Sequence, residues 1–208
     1  MESKSNKIIN GFITEEEVDT IINWVDNIDH SIETDYHHML EIGKVLKGNS
    51  HMYDISKTDL TNVVTKKQSG NDVVNHNLPK IFYDLIERIS QRINIPVNNT
   101  YLQIVDMNQG GKIKAHYDIG VDGYINYKCN ISVLSEEYEL NVDKEILKIK
   151  QRDLYSFEAS LYKHWTEKEF NSRRVLLSYG FLIPYEKLGR SENDPRVRLS
   201  KRIEKYFQ

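Results

Sequence analysis

The chain changes its hydrophobic spacing once, from helical in the first half to strand-like in the second. Apolar positions three and four residues apart predict two amphipathic helices, at about residues 14–28 and 78–93. Thr14, followed three residues later by Glu17, fits a capping box at the start of the first helix. Residues 7–12 predict a short strand before it.

Beyond residue 100 the apolar segments become short and are separated by glycines and turn residues. The predicted strands are Tyr101–Met107, Lys112–His116, Lys128–Leu134, Tyr138–Val142, Ile146–Ile149, Leu154–Glu158 and Arg174–Ile183. Many short strands at this spacing are typical of a sandwich or barrel. The pattern therefore predicts a mainly β fold with flanking helices.

The 208 residues predict one domain with three regions. We expect an N-terminal helical and loop-rich support region over 1–99, a β core over 100–185, and a tail over 186–208 that ends in a short helix at 197–206. Within the first region, residues 29–76 are polar, contain several glycines, and predict at most short strands.

Composition narrows the possible classes of protein. No apolar run approaches the roughly 18 residues of a membrane span, and the N-terminus has no signal-peptide pattern. The single cysteine, Cys129, predicts a buried, inert thiol and a reducing compartment, most simply the cytoplasm. Cysteine-rich metal sites are excluded, so any metal must be bound by histidine and carboxylate. A net charge of −3 weakens the case for nucleic-acid binding.

One tripeptide has the spacing of a metal site. His116 and Asp118 lie two residues apart, so on extended backbone both side chains leave the same face. A third ligand must come from elsewhere, and His164 is the only histidine downstream of Asp118. Two histidines and one carboxylate form a facial triad with open positions, which suits non-haem Fe(II). A histidine–x–aspartate tripeptide alone is a weak signal.

An arginine then opens the apolar strand R-V-L-L-S-Y-G-F. With a period of two, Arg174 and Ser178 face the same way. A buried guanidinium requires an anionic partner, and its planar fork matches a carboxylate. Arg173 is the rival candidate, since a slip of one residue exchanges the faces. We prefer Arg174 because Ser178 lies on its side.

Together these motifs resemble the 2-oxoglutarate/Fe(II)-dependent dioxygenase superfamily, in its prolyl-hydroxylase and AlkB-type branch. The similar segments are I-I-N-G-F-I-T-E-E-E-V-D-T-I-I, N-Q-G-G-K-I-K-A-H-Y-D, R-D-L-Y-S-F-E-A-S-L-Y-K-H and R-V-L-L-S-Y-G-F. The resemblance implies a double-stranded β-helix, a cupin-like jelly roll, as the core. It covers residues 100–183 and touches the N-terminus, whereas residues 29–76 have no counterpart.

The resemblance also implies roles for particular residues. His116, Asp118 and His164 would be the catalytic iron ligands, and Arg174 with Ser178 would bind the distal carboxylate of 2-oxoglutarate. Iron(II) would be the cofactor, with 2-oxoglutarate and O₂ as co-substrates. The expected activity is hydroxylation of a C–H bond in a peptide side chain or small molecule, coupled to decarboxylation of 2-oxoglutarate to succinate.

Two departures and two alternatives accompany this expectation. Many relatives carry a tyrosine before the glycines to help hold 2-oxoglutarate; here that stretch is V-D-M-N, and Tyr101 or Tyr127 could substitute. AlkB-type enzymes usually have a second arginine where this chain has Gly180. The alternatives are an AlkB-like demethylase of alkylated nucleic acid and a non-catalytic jelly-roll binding protein. Other possible metal ligands, His37–His38 and His51–Asp54, fit surface positions better.

Overall fold

Strands dominate the fold, and most of them belong to one antiparallel sheet. The computed structural model describes residues 7–27, 78–95, 100–118 and 123–197, together with the backbone of 48–54, 64–66 and 73–75. His37–His38, most of the polar segment 29–76 and the predicted helix at 197–206, apart from its first residue, lie outside these residues, and so do the side chains of His51–Asp54.

In the described part of the chain, two helices precede most of the strands. They are α1 (Glu15–Asp26) and α2 (Lys80–Ile93). The strands, in chain order, are β1 (Lys7–Ile9), β2 (Gly48–Asp54), β3 (Val64–Lys66), β4 (Val73–Asn75), β5 (Thr100–Met107), β6 (Tyr124–Leu134), β7 (Tyr138–Val142), β8 (Glu145–Ile149), β9 (Leu154–Glu158), β10 (His164–Trp165) and β11 (Arg174–Pro184). A 3₁₀ turn, Tyr185–Leu188, follows the last strand.

The strands pair in three groups. The main sheet has the order β1-β9-β6-β11-β5-β2, the small sheet has the order β10-β7-β8, and β3 pairs with β4. Every pairing is antiparallel. The first 99 residues supply β1 and β2, which border the main sheet on its two edges. The division of the chain at residue 99 stays a prediction.

Both helices form where the sequence predicts them and cover one face of the main sheet. Thr14 and Glu17 make the predicted capping box, in which each side chain accepts from the other residue's backbone N–H. The apolar stripe of α2 packs in the same core as the alternate strand residues Val175, Leu177 and Tyr179. We call this face of the sheet the helix face.

The opposite face of the main sheet lies against the small sheet, and we call it the inner face. Leu176 and Phe157 of the main sheet share a second core with Leu140 and Ile149 of the small one. The predicted alternation along β11 is thus confirmed, because Val175 and Leu177 pack on the helix face and Leu176 on the inner face. Two facing antiparallel sheets with flanking helices confirm the predicted jelly-roll core.

One predicted strand is wrong. Lys112–His116 forms no strand, and only His116 makes an isolated bridge. The backbone of this segment forms hydrogen bonds with Thr166 instead of a neighbouring strand: Ile113 accepts one from the backbone of Thr166 and donates one to the Thr166 hydroxyl.

Among the described residues, none of the helices has the length and apolar character that a membrane crossing requires.

The helix-face core predicts a large effect for Leu85, which is 0% exposed. Leu85→Ala should lower the free energy of unfolding by about 2–5 kcal/mol, since it leaves a cavity between α2 and the sheet. Urea denaturation measures the loss. Ile146→Ala is the control, because Ile146 is 57% exposed and should change stability by less than about 0.5 kcal/mol. Equal losses in the two variants would contradict the described packing.

Candidate metal and co-substrate site

The two downstream histidines are joined through their own backbones. The N–H of His164 donates to the carbonyl of His116 at 2.9 Å, and the N–H of His116 donates to the carbonyl of His164 at 3.2 Å. This bridge places the two imidazole rings 4.2 Å apart between centroids. Phe157 of β9 contacts the His164 ring edge-on at 4.8 Å and anchors it to the inner face.

Asp118 completes the cluster that the sequence predicts. Its backbone N–H donates to the carbonyl of Ala159 at 3.0 Å, which fixes the residue beside the end of β9. Asp118 Oδ1 lies 3.3 Å from His116 Nε2 and 3.5 Å from His164 Nε2. One ligand atom from each of the three residues lies within 4.8 Å of the others, and the structure thus brings the predicted triad together.

Both imidazoles are oriented by backbone carbonyls two residues upstream. His116 Nδ1 lies 2.6 Å from the carbonyl of Lys114, and His164 Nδ1 lies 3.1 Å from that of Tyr162. A carbonyl can only accept, so each Nδ1 carries a hydrogen, and the Nε2 atom of each ring faces Asp118. A metal-binding histidine commonly has this arrangement of its second nitrogen.

The charges around Asp118 keep it ionised. Burial alone would raise the pKa of its carboxyl, but the ammonium of Lys128 and the two histidines hold that pKa well below its usual range. Lys128 Nζ is 3.4 Å from Asp118 Oδ2. The pKa of His116 is raised, because the hydrogen bond and charge of Asp118 outweigh the lowering effect of burial. Asp118 is therefore a carboxylate that faces both imidazoles and the Lys128 ammonium.

Arg174 lies on the inner face and is only 1% exposed. Its guanidinium donates to the hydroxyls of Tyr138 at 3.0 Å and Tyr155 at 3.2 Å. It also lies 5.0 Å from the ring centroids of Tyr138 and Phe170. Its Nε is buried without a hydrogen-bond partner, and no carboxylate among the described residues forms an ion pair with it. A buried cation whose partners are all neutral lacks a compensating negative charge.

Arg173 takes the opposite role, on the outside of the sheet. Its Nε and Nη2 form a two-point contact with the carboxylate of Asp106, at 2.8 Å each. A further bond of 2.7 Å reaches Asp26 at the end of α1. Arg173 is thus already neutralised by this chain, whereas Arg174 is not.

The sequence analysis missed the two tyrosines that hold Arg174. No sequence motif marks Tyr155. It lies two residues before Phe157 on β9, so both side chains lie on the same face of the sheet, where Phe157 contacts the ring of His164. Ser178, the predicted second contact of the co-substrate, is buried on the same face as Arg174 and pairs in register with Asn130. Asn130 Oδ1 is buried and unpaired there.

Tyr101 and Tyr127, the two proposed substitutes for the missing tyrosine, lie on different faces. Tyr127 packs in the helix-face core and bonds to Ser156, away from the triad. Tyr101 lies on the inner face opposite Gly180, where an added Cβ would stand 2.1–2.5 Å from its ring. The tyrosine ring occupies the space that any side chain at position 180 would need.

Solved structures with this fold are known. A viral collagen prolyl hydroxylase from Paramecium Bursaria Chlorella virus-1, solved as a 2OG complex, matches with a TM-score of 0.54 and 12% identity, over 87% of this chain and 97% of its own. A Pseudomonas putida prolyl-4-hydroxylase matches with 0.54 and 10%, over 87% and 94%. The chain has the prolyl-hydroxylase fold. The resemblance seen in the sequence is thereby confirmed for the fold.

A structure with a different bound molecule also matches. HygX from Streptomyces hygroscopicus, solved with nickel, 2-oxoglutarate and hygromycin B bound, matches with a TM-score of 0.54 and 9% identity, over 87% of this chain and 84% of its own. No protein-family profile and no curated protein sequence matches the chain.

The donors on this chain fit a divalent iron. Two imidazole nitrogens and one carboxylate oxygen are the donor set of non-haem Fe(II) sites. The described part of the chain brings no thiolate to the cluster, since Cys129 is buried on the helix face. The guanidinium of Arg174, whose Nε has no hydrogen-bond partner, fits the carboxylate of a dianionic acid bound at the same face.

The contact between Tyr101 and Gly180 allows a test of the inner-face geometry. Gly180→Ala should lower the free energy of unfolding by about 1–3 kcal/mol, because the new methyl group overlaps the Tyr101 ring. In a Tyr101→Ala background the same substitution should lower it by less than about 0.5 kcal/mol. Thermal or urea unfolding of the four proteins measures the coupling. Additive losses would show that the ring does not lie over Gly180.

Proposed function

We propose that this protein is an Fe(II)- and 2-oxoglutarate-dependent dioxygenase that hydroxylates a C–H bond of a peptide side chain or small molecule. Its co-substrates are 2-oxoglutarate and O₂, and its products are succinate, CO₂ and the hydroxylated substrate. The fold supports the proposal because prolyl hydroxylases and HygX share it. The single cysteine supports a reducing compartment such as the cytoplasm.

One observation carries the proposal: the triad and the uncompensated arginine border the same inner face. Phe157 touches the His164 ring at 4.8 Å between centroids and stacks with Tyr155 at 6.3 Å. The Tyr155 hydroxyl in turn accepts from Arg174. An anion that reaches Arg174 from the triad passes along these two aromatic rings, which is the arrangement that a dicarboxylate with one metal-binding end requires.

Each residue then has a task. His116, Asp118 and His164 would hold the iron, which supplies the oxidising chemistry when bound. Arg174, supported by Tyr138 and Tyr155, would bind the distal carboxylate of 2-oxoglutarate with its two-donor fork. Ser178 lies on the same face as Arg174 and pairs in register with Asn130, whose amide oxygen has no hydrogen-bond partner, and Ser178 would donate to the same carboxylate.

The protein also excludes water from the bound acid. The walls around Arg174 are Tyr138, Tyr155 and Phe170, all of them buried. In such a low-dielectric enclosure a guanidinium attracts a carboxylate more strongly than it does in water. The site thus selects an acid long enough to reach from the triad to Arg174.

Two observations favour a peptide or small-molecule substrate over an alkylated base. Gly180, where AlkB-type enzymes usually carry an arginine, is covered by the ring of Tyr101. The chain has a net charge of −3, without the basic surplus that accompanies phosphate binding. A non-catalytic binding protein would have no need for three converging metal donors, which places that alternative last.

Uncoupled turnover tests the metal assignment. Purified protein with Fe(II), ascorbate and 2-oxoglutarate should form succinate slowly without a primary substrate, and His116→Ala should reduce this at least about 100-fold because one of three metal donors is lost. Succinate is measured by mass spectrometry. Lys148→Ala, a change of an exposed lysine on β8, should retain the wild-type rate. Succinate formation that survives in His116→Ala would overturn the assignment.

A matched arginine pair tests the co-substrate site. Arg174→Met should weaken 2-oxoglutarate binding by about 100-fold, because removing one partner of a buried charge pair costs about 2–5 kcal/mol. Arg173→Met should change it less than about threefold, since Arg173 binds Asp106 and Asp26 on the other side of the sheet. Calorimetric titration of the metal-loaded proteins measures both constants. Equal or reversed effects would place the acid elsewhere.

A further inference from the structure

We propose that Lys128 is a positioning residue that holds the second oxygen of Asp118 away from the metal and so keeps one coordination position open. This inference rests on the proposed function, because it concerns the same candidate iron site. It assigns a task to a buried lysine that neither the metal ligands nor the Arg174 site explains.

The two carboxylate oxygens of Asp118 point at different partners. Oδ1 faces both imidazoles, at 3.3 Å from His116 Nε2 and 3.5 Å from His164 Nε2. Oδ2 faces Lys128 Nζ at 3.4 Å. A carboxylate arranged in this way offers one oxygen to a cation between the histidines, while the other remains paired with the ammonium.

Lys128 is itself fixed in place. Its side chain is only 5% exposed, and it lies on β6 in register with Phe157 of β9 and Gly180 of β11. Its ammonium is 4.6 Å from the centroid of the Tyr101 ring, a cation–π distance. A surface lysine would move freely, but here a central strand and an aromatic ring restrict the position of the charge.

That aromatic platform has its own support. The Tyr101 hydroxyl accepts a 2.9 Å hydrogen bond from the amide of Asn126, and the ring lies directly over Gly180, where a Cβ would overlap it. The absence of a side chain at position 180 therefore allows Tyr101 to lie beneath the ammonium of Lys128. This explains in physical terms why glycine occupies the place at which AlkB-type enzymes usually carry an arginine.

The open position matters because the proposed reaction needs every coordination position that the protein leaves free. An iron held by two imidazoles and one carboxylate oxygen would keep enough positions for both the 2-oxo acid and O₂. If both oxygens of Asp118 bound the ion, one of these positions would be lost. The Lys128 ammonium would prevent this by holding Oδ2 in an ion pair, although its charge also repels a metal ion.

Nitric oxide is a suitable probe of the open position because it binds ferrous iron like O₂ and carries no charge. The test compares wild-type protein with Lys128→Met, Lys128→Arg and the control Lys150→Met, which removes an exposed lysine 3.7 Å from Glu137. Each is saturated with Fe(II) and 2-oxoglutarate without oxygen. Electron paramagnetic resonance measures nitric oxide binding, and a separate Co(II) titration measures metal affinity.

In Lys128→Met, the Co(II) affinity and the nitric oxide binding should respond differently. Lys128→Met should bind Co(II) at least as tightly as wild type, since a repelling charge is gone, but should bind nitric oxide at least about tenfold more weakly. Lys128→Arg, which retains a cation, should recover part of the nitric oxide binding, and Lys150→Met should match wild type in both measurements.

Other results separate the possible failures. Unchanged nitric oxide binding in Lys128→Met would overturn the positioning role and leave Lys128 as a purely electrostatic neighbour. Weakened Co(II) binding would show that the substitution damages the whole site, which also contradicts the inference. If wild-type protein itself binds no divalent metal at His116, the proposed function fails, and this outcome is distinct from the other two.

Discussion

The arrangement of this site depends on two backbone hydrogen bonds between His116 and His164. The two residues belong to segments far apart in the chain, and each donates its N–H to the carbonyl of the other. Because the bonds are reciprocal, neither residue can shift relative to the other without breaking both hydrogen bonds. Asp118 is fixed separately by its hydrogen bond to the carbonyl of Ala159, and the two Nδ1 contacts orient the rings. The arrangement of the three candidate donors is therefore a property of the fold rather than of freely rotating side chains.

The inner face carries the Asp118 carboxylate and two buried cations, Lys128 and Arg174, whose surroundings differ. Lys128 lies against a carboxylate, and its charge is compensated within the chain. Arg174 is surrounded by tyrosine hydroxyls and aromatic faces, which stabilise a cation only partly. The difference indicates where an external dianion would bind, since it would gain most beside the cation that lacks a carboxylate. The two buried cations thus differ in whether a carboxylate of the described residues compensates their charge.

The sequence predicts the fold well where local pattern and tertiary structure agree. Tyr138–Val142 and Leu154–Glu158 have the predicted bounds, and a turn follows each of them. Lys112–His116 fails since its backbone bonds to a side chain that no local pattern reveals. The triad and Arg174 follow from motif and parity, whereas Tyr155, Lys128 and Gly180 depend on cross-strand register, which a single sequence does not show.

The most direct test of the central claim is a crystal structure of the protein soaked with Co(II) and 2-oxoglutarate, with anomalous scattering recorded at the cobalt edge. The account predicts one anomalous peak about 2.0–2.2 Å from His116 Nε2, His164 Nε2 and an oxygen of Asp118. It also predicts the acid chelating that peak, with its far carboxylate on Arg174. A peak elsewhere, or an acid that leaves Arg174 without an anionic partner, would contradict it.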